Sequence, residues 1–382
     1  MRVLHLCLGN FYIDNYSYQE NMLTKYHKLM GHNVTVIASL FTYNEEGKEA
    51  MLPGPSEYND INGVHVIRLA YKRPVRVYKL LRRFVGLKEA IESVCPEIIF
   101  SHNLSYSDTT VVANYLRRNP HVKIFADNHA DYINSAKNWL SKHILHPIIW
   151  RHYAKVLEPY LLRCYGVTPM RCRFLNEMYQ IRTKLIEFLP LGVDDEAIPS
   201  DRDVVRSEIR SKLEIPSNAT VMVTGGKIDH LKNTHVLIDA MNQLDDNRLH
   251  LIICGILTPE MAQLKYKIEA NPRIHHLGWC NAVQVMNCMV AADFACFPGT
   301  HSTLWEQAIG VGLPAIFKRW HEMEHVNING NCLFINGEDI NELRLALSHF
   351  MDNRFMTQIS EKAGIASQSF LYSKIAQKAI AF

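Results

Sequence analysis

Short β-type runs alternate with helical patterns along the whole chain, and that alternation limits the fold more than any other feature. Apolar runs at 3–8, 34–38, 64–69, 97–101, 122–126 and 164–168, each followed by a stretch of helical period, are what parallel strands with crossover helices produce. The first helix is marked by Ser17 and Glu20 at capping-box spacing, by Met22, Leu23, Tyr26, Leu29 and Met30 along one face, and by Gly31 as its stop. A turn-rich stretch, LPLGVDDEAIPSD at 189–201, interrupts the series. A second series follows at 220–224, 249–254, 274–277, 294–297, 314–317 and 332–335. A chain of 382 residues exceeds one ordinary core, so two α/β lobes are expected, the first spanning 1–193. Open sheets of this kind bind ligands beyond the carboxyl ends of their strands, which is where chemistry is sought.

Composition narrows the classes. With 48% apolar and 21% charged residues the chain is built to form cores, which excludes disorder, and a net charge of +3 does not favour nucleic acid as a partner. No two of the nine cysteines (7, 95, 164, 172, 254, 280, 288, 296 and 332) have CxxC spacing, so they read as reduced core thiols rather than a zinc or redox site. The opening apolar run is too short for a signal peptide and no later stretch reaches the length of a membrane span. The expectation is a cytoplasmic protein, with the inner face of the membrane within its reach.

Two stretches carry the strongest chemical signal. In VMVTGGKIDHLKNTHVLIDAM (221–241) a strand ends at Gly225 and Gly226, Lys227 and Lys232 follow five apart, and a helix starts near Asn233. Close backbone approach, two cations and a helix N-terminus together outline a phosphate site, although a glycine turn with solvated lysines fits the same letters. The GK[ST] ending of a Walker loop is absent. In DFACFPGTHSTLWEQAIGVGLPAIF (293–317) a strand breaks at Pro298–Gly299. The polar loop His301–Ser302–Thr303 then leads into a helix with Glu306 in its first turn and its end near Gly312. An ionised Glu306 can accept from both hydroxyls of a ribose; stabilising the helix dipole is its plainer role.

These stretches resemble the group 1, or family 4, glycosyltransferases, retaining GT-B enzymes that typically need no metal. Lys227 and Lys232 match the family's cation pair on the donor diphosphate, and EQAIGVGLPAI at 306–316 matches its EAMAxGxPVI segment, which places Glu306 on the ribose. HHLGW at 275–279, with Gly278, is similar to the segment before the base pocket, and LPLGVD to the interdomain PNGVD. The last stretch, FLYSKIAQKAI, is similar to the helix that crosses back to the N-terminal lobe. The resemblance thus implies two facing Rossmann-like domains with an interdomain cleft: 1–193 on the acceptor side, 194–365 binding the nucleotide-sugar, and 366–382 as the returning helix. Gly226, Lys227, Lys232, Gly278, His301, Ser302, Thr303 and Glu306 would then hold a UDP- or GDP-linked donor, with no separate cofactor.

Two departures from the family are plain. The glutamate expected eight positions before Glu306 is Pro298, for which His301 is the substitute, and the glycine-rich loop after the first strand reads GNFYIDNYSYQEN, keeping Gly9 beside Asn10. On the acceptor side, DNHADY sets Asp127, His129 and Asp131 at a strand end, where the family has a cleft-facing histidine. An aspartate there can orient the imidazole. His129 therefore joins Lys227 and Lys232 as a catalytic candidate, and Gly9, Asn10, His102 with Asn103, Asp127 and Asp131 are acceptor-side candidates.

The segment 71–90 carries Lys72, Arg73, Arg76, Lys79, Arg82, Arg83 and Lys88 among Val77, Leu80, Leu81, Phe84 and Leu87, and 139–151 extends it with Lys142 and Trp150. Such a basic amphipathic segment fits an anionic membrane surface, and so a lipid-linked or cell-surface glycan acceptor; an ordinary surface helix fits equally. The acidic pairs Asp194–Asp195 and Asp245–Asp246 read as solvated turns, and no metal site is expected. A nucleotide-sugar epimerase on the same fold and a catalytically weak sugar-nucleotide-binding protein are the competing readings. A dehydrogenase is disfavoured because neither lobe has GxGxxG after its first strand.

Overall fold

The computed structural model describes residues 1–44, 48–244 and 246–382. They form two compact units, one of 1–190 with 375–382 and the other of 191–374. The return expected from 366 thus begins at Ile375, because the helix Asn353–Ser367 buries Ile359, Ala363 and Ala366 within the second unit and Val193 bridges Leu371 there.

The strands of the first unit are β1 (Arg2–Cys7), β2 (Asn33–Ser39), β3 (Phe41–Tyr43), β4 (Glu49–Met51), β5 (Ser56–Asn59), β6 (His65–Leu69), β7 (Ile98–Ser101), β8 (Lys123–Asn128), β9 (Leu161–Gly166) and β10 (Ile186–Phe188). The main sheet runs β10-β9-β8-β7-β1-β2-β6-β5, parallel except for β5, while β3 and β4 form a separate antiparallel pair. Both faces of this sheet are covered. Leu4, Leu6 and Ile37 pack to one side, Cys7, Val34, Val36 and Ala38 to the other, which is why these strands read as unbroken apolar runs. The second unit contributes β11 (Thr220–Ile228), β12 (Leu249–Leu257), β13 (Ile274–His276), β14 (Phe294–Phe297), β15 (Ala315–Lys318) and β16 (Cys332–Ile335) in the all-parallel order β13-β12-β11-β14-β15-β16. Each sheet reverses direction once, at β1/β7 in the first unit and at β11/β14 in the second. Those switch points are where an open α/β sheet leaves a crevice for ligand.

Several local expectations are corrected. The first helix is Gln19–Leu29 with Tyr18 at its N-cap and no side-chain cap, so Ser17 and Glu20 form no capping box. Glu20 instead turns inward and is buried, whereas Leu29 and Met30 of the expected apolar face are exposed. The 71–90 segment is not one amphipathic helix. It breaks into Val75–Leu81 and Leu87–Val94 at Arg82 and Gly86, both at positive φ, and Phe84 and Leu87 are core residues. Arg83 pairs with the buried Asp108 at 3.2 Å. The cysteines form no disulfide among the described residues, but Cys95 is exposed and Cys172 and Cys280 are half-buried rather than in the core. No helix among the described residues is long and apolar enough to cross a membrane.

Candidate active site

In the second unit the two motif loops meet at the switch point. β11 does not stop at the glycines as expected but stays paired with β12 through Ile228. The glycines make that pairing fit. A Cβ on Gly225 would lie 2.3 Å from Cys254 O, and one on Gly255 1.9 Å from Gly226 O. Gly226, at φ +101°, therefore serves the strand crossing, and the turn toward the ligand comes later, at Asp229–Asn233. Asp229 caps that turn by accepting from Lys232 N at 3.2 Å. Asn233, in the left-handed region, begins the helix Thr234–Asn242 without capping it. Its side-chain amide donates to Pro298 O and Gly337 O at 3.1 and 2.8 Å.

The loop after β14 is laced to this turn. Thr300 N donates to Leu231 O at 2.9 Å, and a Cβ on Gly299 would lie 2.3 Å from both Leu231 O and Lys232 Cα, so only glycine allows the approach. Lys232 Nζ donates to Thr300 O at 2.8 Å, and burial lowers its pKa. Its partners are carbonyls, which leaves the ammonium free to meet an anion. Lys227 is exposed and unpaired among the described residues, Thr303 is exposed at the head of the helix Leu304–Val311, and Ser302 Oγ is buried without a partner. Gly278 lies apart, at φ +68° after β13, with open space around it.

Glu306 sits in the first turn of its helix and is fully buried. Its Oε1 accepts from His301 Nε2 at 2.7 Å and from His325 Nε2 at 2.8 Å, while Oε2 is buried with no hydrogen-bond partner among the described residues. Burial alone would raise this carboxyl, but the two imidazoles outweigh it and hold it well below the usual carboxylate range. An ionised carboxylate with one oxygen anchored and the other unoccupied is set to accept hydroxyl protons. His301, expected as a substitute for the missing upstream glutamate, is thus an anchor for Glu306. His325 had no signal in the sequence, since nineteen residues and a strand separate it from its partner. Among the described residues these three are the one group close enough to share a metal ion. Their separations of 2.7 and 2.8 Å are those of N–H···O hydrogen bonds. Of the acidic pairs, Asp246 is engaged by Arg248 at 2.6 Å, Asp195 accepts from Ser373 N at 3.1 Å, and Asp245 lies outside the described residues.

The first unit gathers its candidates at the carboxyl ends of β1, β7 and β8. A Cβ on Gly9 would lie 3.0 Å from His102 O and Asn103 O, so glycine allows this loop to close on the next. Asp127 accepts from His102 Nδ1 at 2.9 Å and from Asn103 N at 2.8 Å. His129 Nε2 lies 3.5 Å from Asp127 and 3.9 Å from Glu20, whose carboxylate also accepts from Asn10 Nδ2. Burial would lower the His129 imidazole, but Asp127 and then Glu20 raise it instead. Asp131 does not orient His129 as its position suggested. It accepts from Ile133 N and Asn134 N at 2.8 and 2.6 Å and pairs with Arg171 at 3.0 Å, because its turn folds away from the imidazole.

Behind His102 runs a buried chain that the sequence does not announce. His102 Nε2 meets His5 Nδ1 at 2.9 Å, His5 Nε2 meets His27 Nδ1 at 2.9 Å, and His27 Nε2 donates to Ala376 O at 2.8 Å. Both ends are acceptors, a carbonyl and a carboxylate. Four hydrogen bonds need four protons, and three neutral imidazoles supply three. Burial and the neighbouring imidazoles hold His5 well below its ordinary range, and burial pushes His27 down to about 4. Burial would raise Asp127, but His102 and His129 hold its carboxyl well below the usual range. The count therefore places one proton beyond the neutral imidazoles on the His102–Asp127 pair.

Comparisons with known proteins bear on the fold and the enzyme class. The model of the glycosyl transferases group 1 family matches residues 205–366, which include both lysines, the 293–317 stretch and His325. The chain carries a group 1 glycosyl transferase domain. The likeness to solved glycosyltransferases extends over both units. Anabaena HepE in complex with UDP aligns with a TM-score of 0.68 at 16% identity, covering 99% of this chain and 98% of that one. WaaG, a glycosyltransferase of lipopolysaccharide biosynthesis, gives 0.61 at 15% over the whole of both chains. Sucrose-phosphate synthase of Thermosynechococcus elongatus gives 0.65 at 14%, covering 99% and 97%. No curated protein matches the sequence. At these identities the likeness establishes the GT-B fold, and the family match establishes the enzyme class, glycosyltransferase, of the domain that carries Lys232 and Glu306.

Proposed function

We propose that this glycosyltransferase binds a nucleotide diphosphate-sugar in its second unit and passes the sugar, with retention of configuration, to a glycan acceptor held by its first. The observation that carries the reading is the convergence of Lys232, His301 and Glu306 at the β11/β14 switch point: a cation bonded only to carbonyls, linked through one histidine to an anchored carboxylate with a free oxygen. Lys232 and Lys227 would take the diphosphate, stabilising charge that develops on the leaving group as the glycosidic bond breaks. Glu306 Oε2 would accept from the ribose. His129, whose protonated form Asp127 favours, is the acceptor-side residue assigned to the reacting centre. UDP is the nucleotide tried first, because the HepE structures hold UDP, UDP-glucose, or UDP with glucose. The family resemblance supports retention, and a cytoplasmic location fits a donor of this kind.

A thermal-shift panel of UDP, GDP, ADP and CMP with their sugar conjugates tests the site, since a ligand that binds the native state alone raises the midpoint. One nucleotide should stabilise the protein, and Lys232→Ala should lose about 1.5–3 kcal/mol of its binding, a tenfold or greater weakening. Unchanged affinity in the variant would remove Lys232 from the donor site. Incubating the bound donor without acceptor separates transfer from epimerisation, since an epimerase converts its donor alone.

A further inference from the structure

Beside the strand-end residues, with Asn103 in its lining, the first unit holds an open cavity of about 510 Å³, within the usual range of about 300–1,000 Å³ for small-ligand sites. Phe11, Tyr71 and Trp150 give it aromatic walls, and Arg76, Lys79 and Arg82 give it charge. Arg82 is the informative residue. It follows the helix Val75–Leu81 at φ +54°, which turns its side chain into the protein. Nη1 donates to Gly9 O, to Ser105 O at 2.8 Å and to Ser105 Oγ at 2.7 Å. The guanidinium lies 5.6 Å over the Trp150 ring and 5.8 Å over that of Phe11, and no carboxylate contacts it among the described residues. A cation withdrawn from water without a counter-charge is costly, and neutral acceptors and ring faces offset only part of that cost.

The rest of the lining does not supply the missing anion. Lys79 approaches Glu49 only to 3.8 Å, and Arg76 has no ion-pair partner among the described residues. His146, bonded to Tyr179 OH at 2.9 Å, is kept neutral at physiological pH, its pKa pushed to about 4 by burial and then by Arg82. Three cations thus face one exposed carboxylate around a cavity with aromatic walls.

We propose that this cavity binds a negatively charged sugar, with a phosphate or carboxylate on the Arg76–Lys79–Arg82 cluster and the sugar against the aromatic walls. The inference rests on the glycosyl-transfer reading and names the acceptor class: an anionic glycan, free or as the headgroup of a lipid. The guanidinium fork matches either anion in geometry.

Calorimetric titration of the full chain with glucose 6-phosphate, glucuronate and glucose tests it, beside an Arg76→Gln/Lys79→Gln double variant that spares the half-buried Arg82. A charged sugar should bind saturably, glucose should not, and the variant should weaken the charged ligand at least tenfold while UDP binds as before. Equal binding of glucose, no saturable binding of either anion, or an unaffected variant would overturn the cavity assignment. Vesicles of phosphatidylglycerol, offered in parallel, separate the sources. If vesicles bind through these residues while no sugar anion does, the cluster is a membrane contact and the proposal fails. If anionic sugars bind but no nucleotide does, the cavity stands and the transfer reading falls.

Discussion

Replacing Asp127 by asparagine should cost this protein far less than replacing it by alanine, because of the proton count in the histidine chain. At 2.9 Å, the charge-assisted bond between Asp127 and His102 is worth about 6 kcal/mol in Coulomb attraction at an effective dielectric of about 20, before the cost of burying the pair. In Asp127→Asn the attraction is gone, but the amide donates to His102 Nδ1 itself and its oxygen still accepts from Asn103 N. Three neutral histidines and one amide N–H then satisfy all four bonds, and the cost should stay within about 2 kcal/mol. Asp127→Ala leaves His102 and Asn103 N without an acceptor, at about 1–3 kcal/mol each, so a loss of about 2–6 kcal/mol is expected. Native-state hydrogen exchange of amides in β1, β7 and β8 reads the opening free energy of this sheet independently of the second unit. The ¹⁵N spectrum of the imidazoles, with His102 assigned by substitution, should show the chain losing one proton between the wild type and the asparagine variant at the same pH. Equal losses for the two variants, or an unchanged imidazole spectrum, would refute the count.

Two further outcomes follow from the geometry. Gly299→Ala should place a methyl group within 2.3 Å of Leu231 O and Lys232 Cα, part the two loops and weaken nucleotide binding severalfold in a titration; retained affinity would mean that the lacing does not position Lys232. The pH dependence comes from depressed imidazoles and depressed carboxyls: His5, His27 and His146 stay neutral in the fold, so their contribution is lost progressively as the pH falls below their unfolded value of about 6.5. Asp127 and Glu306 contribute stability that is complete above their unfolded values of about 4 and is lost progressively as the pH falls below that. The thermal midpoint followed from pH 7 to 3 should therefore begin to fall below about pH 6.5 and fall further below about pH 4, the second fall being shallower in Asp127→Asn; parallel curves below about pH 4 would contradict the assignment.

Much of the fold was legible because both sheets bury both faces, so that most strands announce themselves as apolar runs of the right length. The misses are local. β5 pairs antiparallel at the sheet edge, and Ser56–Asn59 carries no apolar run. Gly225 and Gly226 read as a turn because close strand approach and a tight turn demand the same residue, and only the partner Gly255 decides between them. In the site, Lys232, His301 and Glu306 lie within two short stretches and could be read together. His325, Glu20, His5 and His27 come from elements whose proximity only the sheet order creates, so spacing carries no trace of them. The basic run at 71–90 marks a different limit. Charge along the sequence does not reveal which cations the backbone turns inward, and the positive φ at Arg82 does that.

The bond from His27 to the Ala376 carbonyl also bears on the order in which the protein is made. The first unit emerges from the ribosome early, yet the carbonyl that ends its histidine chain lies in 375–382, translated only after the whole second unit. Until that segment arrives, a nascent first unit holds a buried imidazole N–H with no acceptor and a sheet core it cannot close. The lobe synthesised first should therefore be the last to mature, and a chain released before residue 375 should hold a finished second unit and a first that is still open to proteases.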